Sequence, residues 1–172
     1  MRSWQKGMKN SYHETVMVGQ VIDALHIKNE AEKTGIGKYI DATLGNGGHT
    51  LEILKKGGKV LGIEVDPEML EIAKERLSSE KHIRKGDYKL VQGNFVDIDK
   101  IAKDVGWNHV SGILIDLGLT NLQLKDRERG FSFDNPDATL DMRVNPEAQA
   151  LKGSDLLNAL RQDQLISLFS QT

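Results

Sequence analysis

The sequence contains no cysteine, and this absence excludes several classes of chemistry. Without thiols the chain can form no disulfide, no thiolate zinc site, no iron–sulfur cluster and no covalent cysteine intermediate. Its histidines lack the i, i+4 spacing that would place two metal ligands on one helical face; they are His13, His26, His49, His82 and His109. The sequence therefore predicts neither thiol catalysis nor a metal site.

Long apolar runs and a strong excess of one charge are also missing. No uninterrupted stretch approaches the roughly 20 residues of a membrane-spanning helix, and the first residues lack the apolar segment of a secretion signal. Lys and Arg number 23 and Asp and Glu number 25, so the formal net charge is −2. We expect a cytoplasmic protein with no membrane partner, in which a nucleic acid would be held by a local basic patch or by shape.

Two common enzyme signatures are absent as well. The sequence has no G-x-S-x-G turn of a hydrolase and no G-x-x-x-x-G-K-[ST] phosphate loop. At 172 residues, with 38% hydrophobic and 28% charged residues, the chain has the size and composition of about one globular domain.

Short apolar runs alternate with helical patterns from residue 38 onward, which is typical of βαβ units and a parallel sheet. Each of the four predicted strands is expected to be buried centrally. They are Lys38–Thr43, Val60–Val65, Tyr88–Gln92 and Val110–Asp116.

Helices are predicted between and around these strands. Asp66 and Pro67 supply a cap and a first-turn proline for the clearest one, and weaker helical patterns begin near Gly48 and Asp97. An amphipathic helix precedes the sheet, and a last helix is expected to begin at a Ser154 cap. The apolar residues of these two helices are Val18, Val21, Ile22 and Leu25, and Leu157, Leu160, Leu165 and Leu168.

A glycine-rich turn joins the first strand to the next helix. Residues 41–49 read Asp-Ala-Thr-Leu-Gly-Asn-Gly-Gly-His, and Gly45 and Gly47 let the backbone bend sharply beside a ligand. A nicotinamide-dinucleotide fingerprint needs a third glycine where Thr50 stands. A carboxylate at Asp41 would repel a pyrophosphate but suits the ammonium and sulfonium groups of S-adenosylmethionine. The charge pattern favours this methyl donor, with a tight connecting turn as the structural alternative.

Two further residues lie where a nucleoside would contact them. Glu64 closes the second strand about 20 residues after the loop, where an acidic side chain can accept hydrogen bonds from ribose hydroxyls. Its alternative is a solvated charge at a strand end. Phe95 follows the third strand and either flanks an adenine ring or belongs to the core.

Asp116 ends the fourth strand at the carboxyl edge of the sheet, where open α/β folds bind ligands. An acid this close to an apolar run costs desolvation free energy, which favours a catalytic role over a helix cap or an ion pair. The loop beyond offers amides, a cation and aromatic rings that suit an RNA base and its phosphate, although loop aromatics also simply pack beneath a loop. These candidate substrate residues are Asn121, Arg129, Phe131 and Phe133.

Several segments, in this order along the chain, resemble one family, the RsmH (MraW) methyltransferases of small-subunit ribosomal RNA. The last two of them are peculiar to that family. The segments are His-Glu-Thr-Val at 13–16, the glycine turn at 41–49, Gly-Ile-Glu-Val-Asp-Pro at 62–67, Gly-Asn-Phe at 93–95, Asp-Leu-Gly at 116–118, Arg-Gly-Phe-Ser-Phe at 129–133 and Leu-Asp-Met-Arg at 140–143.

The resemblance implies a Rossmann-like class I methyltransferase fold that uses S-adenosylmethionine and methylates N4 of a cytosine in small-subunit ribosomal RNA. It implies a core over residues 11–120, and a reactive loop with the start of a helical insertion over residues 121–172. The implied partner is this RNA or its ribosomal particle. The positions implied to contact the methyl donor are Gly47, Gly48, His49, Glu64, Phe95, Asp116 and Gln123; the turn and the charge argument add Gly45 and Asp41.

The chain departs from the family pattern in sequence and in length. Glu64 stands where the family usually has Asp, and Leu-Thr-Asn-Leu at 119–122 replaces Val-Ser-Ser-Pro. The resemblance covers about the N-terminal half of the family, so an incomplete sheet of order 3-2-1-4 is expected. Strand four would then be an edge whose apolar run 112–115 faces solvent or a partner. We expect a fragment or an obligate associate, with self-association through this edge as one outcome.

Transfer to an amine fits the absence of cysteine, because methylation at carbon 5 of a pyrimidine commonly proceeds through a cysteine adduct. Base extrusion would bring the cytosine to the pocket, and a group at or near Asp116 would hydrogen-bond the amine protons. Two alternatives remain. One is a nicotinamide-dependent oxidoreductase on the same scaffold, and the other is a noncatalytic module that binds S-adenosylmethionine.

Overall fold

A parallel four-stranded sheet forms the centre of the fold in the computed structural model, which describes residues 15–27 and 36–171. Its strands are β1 (Lys38–Asp41), β2 (Lys59–Glu64), β3 (Tyr88–Gln92) and β4 (Gly112–Leu114). They lie in the order β3-β2-β1-β4, and each neighbouring pair is parallel. The predicted α/β class, the Rossmann-like scaffold and the order 3-2-1-4 are confirmed.

Four helices accompany the sheet: α1 (Val18–Ala24), α2 (Gly48–Lys55), α3 (Pro67–Ser79) and α4 (Ile98–Asp104). Asp66 caps α3 as predicted, since its carboxylate accepts the Glu68 N–H at 2.9 Å and Pro67 takes the first helical position. A 3₁₀ turn, Phe95–Asp97, leads into α4. The weaker helical patterns therefore also correspond to helices, within a residue of their predicted starts.

The two central strands bury side chains on both faces. Alternation along β1 and β2 sends Tyr39 and Val60 to one face, and Ile40 and Leu61 to the other. On the first face they pack with α2 and α3 through Leu51, Ile53, Leu54 and Leu77. On the second they pack with α4 and its following turn through Ala102 and Trp107. Helices on both faces explain why these strands are almost wholly apolar.

The outer strands correct one prediction, because β3 and β4 are half-buried rather than buried centrally. Each is hydrogen-bonded on one side only, as its edge position requires. On and beyond β4, Ile113 is 48% exposed and Ile115 is 52% exposed. The expected exposure of the strand-four edge is thus confirmed, whereas self-association through it stays a prediction.

A second compact unit begins after Gly118 and covers residues 119–172. It contains α5 (Asn121–Lys125), α6 (Gly153–Ala159) and α7 (Gln162–Phe169). The prediction of one last helix capped by Ser154 is wrong, because α6 begins one residue earlier and ends before Leu160.

Leu160 and Arg161 are extended, with ψ of 140° and 159°. The Arg161 N–H donates to Gln164 Oε1 at 2.9 Å, so α7 has an N-terminal cap of its own. This second cap separates α6 from α7, although the apolar residues of the two helices are spaced as in one continuous helix. Within the described part of the chain, every helix is too short or too polar to cross a bilayer.

Candidate active site at the carboxyl edge of the sheet

The carboxylate of Glu64 joins the glycine loop to the start of α3. Its Oε2 accepts the Gly45 N–H at 2.6 Å, and its Oε1 accepts the Asp66 N–H at 2.9 Å. Burial raises the pKa of Glu64, and these backbone donors oppose the shift. Glu64 therefore fixes two loops that follow neighbouring strands.

Glu64 keeps some capacity to accept further hydrogen bonds. A carboxylate has about four lone-pair sites, and the backbone donors do not use all of them. Only 8% of the residue is exposed, so a further donor would have to come from a group seated against the loop. The predicted contact with ribose hydroxyls is chemically compatible with this arrangement and stays a prediction.

The glycine loop has the sharp shape that its sequence predicts. Gly45 and Gly47 adopt φ of 53° and 79°, in the left-handed region, and Gly47 is the N-cap of α2. A Cβ at Gly47 would lie 3.4 Å from the Cβ of Ala73, and a Cβ at Gly48 would collide with the Thr15 side chain. A side chain at Gly48 thus has no room, whereas at Gly47 the positive φ is what disfavours a larger residue.

Asp41 lies beneath the loop and is only 1% exposed. Its Oδ2 accepts the Thr50 hydroxyl at 2.7 Å, while its Oδ1 is buried without a hydrogen-bond partner among the described residues. Burial is the main cause and raises the pKa of Asp41, while the bond from Thr50 and the nearby His49 oppose the shift. An unpartnered buried carboxylate oxygen is energetically costly, so Oδ1 is a natural acceptor for a donor from a ligand.

Asp116 stands at the carboxyl edge beyond β4, as predicted. Its N–H donates to the Thr43 hydroxyl at 2.7 Å, and its Oδ2 lies 3.6 Å from Nε2 of His49. The expected desolvation of Asp116 is wrong, because its side chain is 62% exposed, whereas that of His49 is 11% exposed. Since β4 is a short edge strand, the carboxylate extends into solvent. Its catalytic role stays a prediction that rests on position.

Phe95 lies three residues beyond β3, next to the strand that ends in Glu64. Its side chain is 39% exposed, which argues against the alternative of a core phenylalanine. The Gly93 N–H donates to the Glu64 carbonyl at 2.9 Å, and the Asn94 side chain accepts the Val96 N–H at 3.1 Å. These bonds hold the turn that presents the ring.

In the second unit, Gln123 has a local structural role. It is 3% exposed, and its Oε1 accepts the Thr120 N–H at 2.8 Å while the Thr120 hydroxyl accepts the Gln123 N–H at 3.2 Å. This reciprocal pair is a capping box for α5, a helix that the sequence analysis missed although Thr-x-x-Gln is its signature. Contact between Gln123 and a methyl donor stays a prediction.

The two segments most characteristic of the resemblance interlock. Arg129 Nη2 donates to the carbonyls of Arg143 at 3.1 Å and Val144 at 2.7 Å, and the Met142 N–H donates to the Arg129 carbonyl at 2.9 Å. Asp141 accepts two bonds from the Arg143 guanidinium, at 2.6 and 2.8 Å, which lowers the Asp141 pKa to about 2. Arg129 is thus engaged in holding the backbone together, a role that sequence reasoning did not foresee.

The other substrate candidates differ in exposure. Phe133 is fully exposed, whereas Phe131 is half-buried with the Arg129 guanidinium 5.7 Å from its ring centre. Asn121 is the half-buried first residue of α5. Their contact with RNA stays a prediction.

Two remaining expectations concern the His13 segment and metal binding. His13, in the first of the family-like segments, lies outside the described residues. Among residues 15–27 and 36–171, no three His, Asp or Glu side chains are grouped so that they could hold a metal ion.

Comparison with known proteins identifies the family. A sequence model described as the MraW methylase family matches residues 10–172. The chain belongs to the MraW methylase family. This confirms the resemblance drawn from the sequence segments.

Two curated relatives of the chain carry the name "Ribosomal RNA small subunit methyltransferase H". The protein from Clostridium botulinum (strain Loch Maree) is 38% identical over 160 residues, which cover 91% of this chain and 48% of the relative. The one from Methylacidiphilum infernorum is 43% identical over 136 residues, covering 77% of this chain and 40% of the relative. The chain thus spans about half the length of the relatives it matches.

Among solved structures, the YcgJ protein from Bacillus subtilis aligns with 45% of this chain and 29% of its own, with a TM-score of 0.37 and 18% identity. The assignment of the fold rests on the sheet order and not on this partial likeness.

The buried Asp41 predicts a pH dependence of stability. Because burial raises its pKa above 3.8, the folded protein binds this proton more tightly than the unfolded chain does. The stability that the group contributes is therefore complete below the unfolded pKa and is lost as the pH rises toward the folded pKa. In Asp41→Asn this loss is absent, so the free energy of unfolding of the variant, relative to wild type, increases from about pH 4 upward.

Urea denaturation at a series of pH values measures this difference. The matched control is Asp137→Asn, which removes one carboxylate from an exposed position. A relative stability of Asp41→Asn that stays constant or decreases with rising pH would contradict the assignment of a raised pKa.

Proposed function

We propose that the protein is an S-adenosylmethionine-dependent methyltransferase that acts on N4 of a cytosine in small-subunit ribosomal RNA, in the cytoplasm. The observation that carries the proposal is the glycine loop, held by Glu64 at the carboxyl ends of β1 and β2. The loop belongs to a chain of the MraW methylase family. The name of the relatives, a methyltransferase of the small ribosomal subunit RNA, supports the substrate class.

The residues around the loop fit the methyl donor. The unpartnered Oδ1 of Asp41 suits an ammonium group, the remaining lone pairs of Glu64 suit ribose hydroxyls, and the exposed ring of Phe95 suits an adenine. The N–H groups of Gly48 and His49 lie in the first turn of α2, whereas the Gly47 N–H donates to the Leu44 carbonyl at 2.9 Å. When bound, S-adenosylmethionine supplies a methyl group on a positively charged sulfur.

Asp116 and His49 are the residues that we assign to the acceptor. The lone pair of a cytosine amine is delocalised into the ring, so the amine must be held in line with the methyl group and its protons must be accepted. The exposed carboxylate of Asp116 can accept a hydrogen bond from the amine and take up the proton that it loses. His49 Nε2 lies 3.6 Å from that carboxylate, on the side of the glycine loop.

The second unit is assigned to the RNA. Phe133 exposes its whole ring, and stacking of a base on an aromatic side chain contributes about 1–3 kcal/mol. The Arg129 and Phe131 pair and Asn121 are the accompanying candidates. Because the net charge is −2, we expect recognition by such local contacts and by shape rather than by a general positive charge.

Of the two alternatives, membership of a methylase family disfavours the nicotinamide-dependent oxidoreductase. A noncatalytic module that binds S-adenosylmethionine is the outcome that a methyl-transfer assay must exclude. Donor binding and methyl transfer therefore have to be measured separately.

Gly47→Ala is expected to weaken donor binding, because a side chain at positive φ strains the glycine loop itself. The matched control is Gly106→Ala, because Gly106 has nearly the same φ, 76° against 79°, but open space around the position of a Cβ. Each substitution places a side chain at positive φ and costs about 1–2 kcal/mol of stability. Calorimetric titration with S-adenosylhomocysteine should show weaker binding for Gly47→Ala alone; equal affinities for both variants would count against the loop as the donor site.

Asp116→Asn is expected to lower methyl transfer to small-subunit ribosomal RNA or particles at least 100-fold, because the amide cannot take up a proton. Affinity for S-adenosylhomocysteine should change much less. The assay follows transfer of a radioactive methyl group, with Asp104→Asn, an exposed carboxylate on α4, as the control. Transfer at the wild-type rate by Asp116→Asn would remove the catalytic assignment, and no transfer by the wild type would favour the noncatalytic module.

Phe133→Ala is expected to weaken RNA binding about tenfold through the loss of one stacked base, with little change in stability. Phe169→Ala is a matched control, because it removes the same atoms from another largely exposed position, at 62% exposure. Binding of a small-subunit RNA fragment is measured by fluorescence anisotropy. Equal affinities of the two variants would show that Phe133 does not contact the RNA.

A further inference from the structure

The glycine loop lies on one face of α3. Leu44, at the start of the loop, forms a buried cluster with Leu70 and Ala73 of that helix. Gly47 approaches so closely that an added Cβ would touch the Cβ of Ala73 at 3.4 Å. The conformation of the loop therefore depends on α3 as well as on the strand that precedes it.

Arg76 of α3 contacts the loop directly. Its Nη1 donates to both acceptors of Asn46, the carbonyl oxygen at 3.3 Å and the side-chain Oδ1 at 3.1 Å. Asn46 lies between Gly45 and Gly47 and is only 8% exposed. A charged donor bound to a buried residue at the centre of a flexible, glycine-rich segment restricts the conformations of that segment.

The neighbouring cation on the same helix behaves differently. Lys74 makes its ion pair with Glu71, one turn away, at 2.6 Å, and both side chains are largely exposed. Such an exposed pair contributes little to stability, and both of its residues belong to α3. The contact made by Arg76 spans 30 residues of sequence instead and joins helix to loop.

We propose that Arg76 is a positioning residue for the methyl donor, which holds the glycine loop through Asn46 in the conformation that binds the donor. The loop is then fixed at two points. Glu64, which also accepts the N–H of the Asp66 cap, holds Gly45, and Arg76 of α3 holds Asn46. The role in donor binding rests on the proposed function; the restraint of the loop does not. Arg76 itself need not touch the donor.

The test compares Arg76→Gln and Arg76→Lys with Lys74→Gln, which changes charge on the same helix without touching the loop. Arg76→Gln should weaken binding of S-adenosylhomocysteine about tenfold or more in calorimetric titration, since a charge-assisted contact is lost. Arg76→Lys should lose less, because the charge remains. The affinity of Lys74→Gln should equal that of wild type.

Two readouts separate positioning from a merely structural role. A variant that only unfolds in part would show fewer binding sites per chain at an unchanged Kd, whereas a positioning defect raises the Kd at full occupancy. Hydrogen exchange of the ligand-free protein, followed by mass spectrometry over residues 44–50, should be faster in Arg76→Gln and unchanged in Lys74→Gln.

Wild-type Kd and wild-type exchange in Arg76→Gln would overturn the proposal. If the wild-type chain itself does not bind S-adenosylhomocysteine, the proposed function fails, and the exchange of the ligand-free loop still decides whether Arg76 restrains it. Faster exchange with an unchanged Kd would contradict the role in donor binding.

Discussion

The arrangement at the carboxyl edge depends on one buried carboxylate. Glu64 accepts the N–H of Gly45 from the loop after β1 and the N–H of Asp66 from the turn before α3. Without these bonds, two backbone donors would be left unsatisfied in a partly buried place, and two loops would lose their common anchor.

The anchored loop brings together groups from distant parts of the sequence. Asp41 and Thr50 meet beneath it, and His49 faces Asp116 at its rim. These side chains come from the end of β1, the first turn of α2 and the segment after β4. The arrangement follows from the parallel sheet, whose strands all end at one edge.

Local sequence signals predicted the strands and helices of the first unit but not the contacts between them. Asp66 and Pro67 were sufficient to locate α3, and the apolar runs located the strands. The partners of Glu64 could not be predicted, because spacing shows that a side chain ends a strand and not which backbone groups it meets. The prediction that Asp116 is desolvated was wrong for the same reason, because the exposure of its side chain depends on what covers β4. The division between α6 and α7 depends on a side-chain cap at Gln164 that competes with apolar periodicity.

The two sequence segments that are most characteristic of the family, 129–133 and 140–143, contain residues that hold the backbone of the second unit together. Arg129 and the segment 140–143 hold the second unit together through backbone carbonyls and the Asp141–Arg143 pair, and Phe133 is left exposed. A motif that identifies a family therefore need not consist of reacting groups; here much of it builds the frame that presents one aromatic ring.

The central claim is that the loop fixed by Glu64 binds a positively charged sulfonium compound and not a dinucleotide. Calorimetric titration of the wild-type chain with S-adenosylmethionine and, separately, with NADH tests it most directly. The account predicts saturable one-to-one binding of S-adenosylmethionine and no heat of binding with NADH. Saturable binding of NADH with no response to S-adenosylmethionine would contradict it.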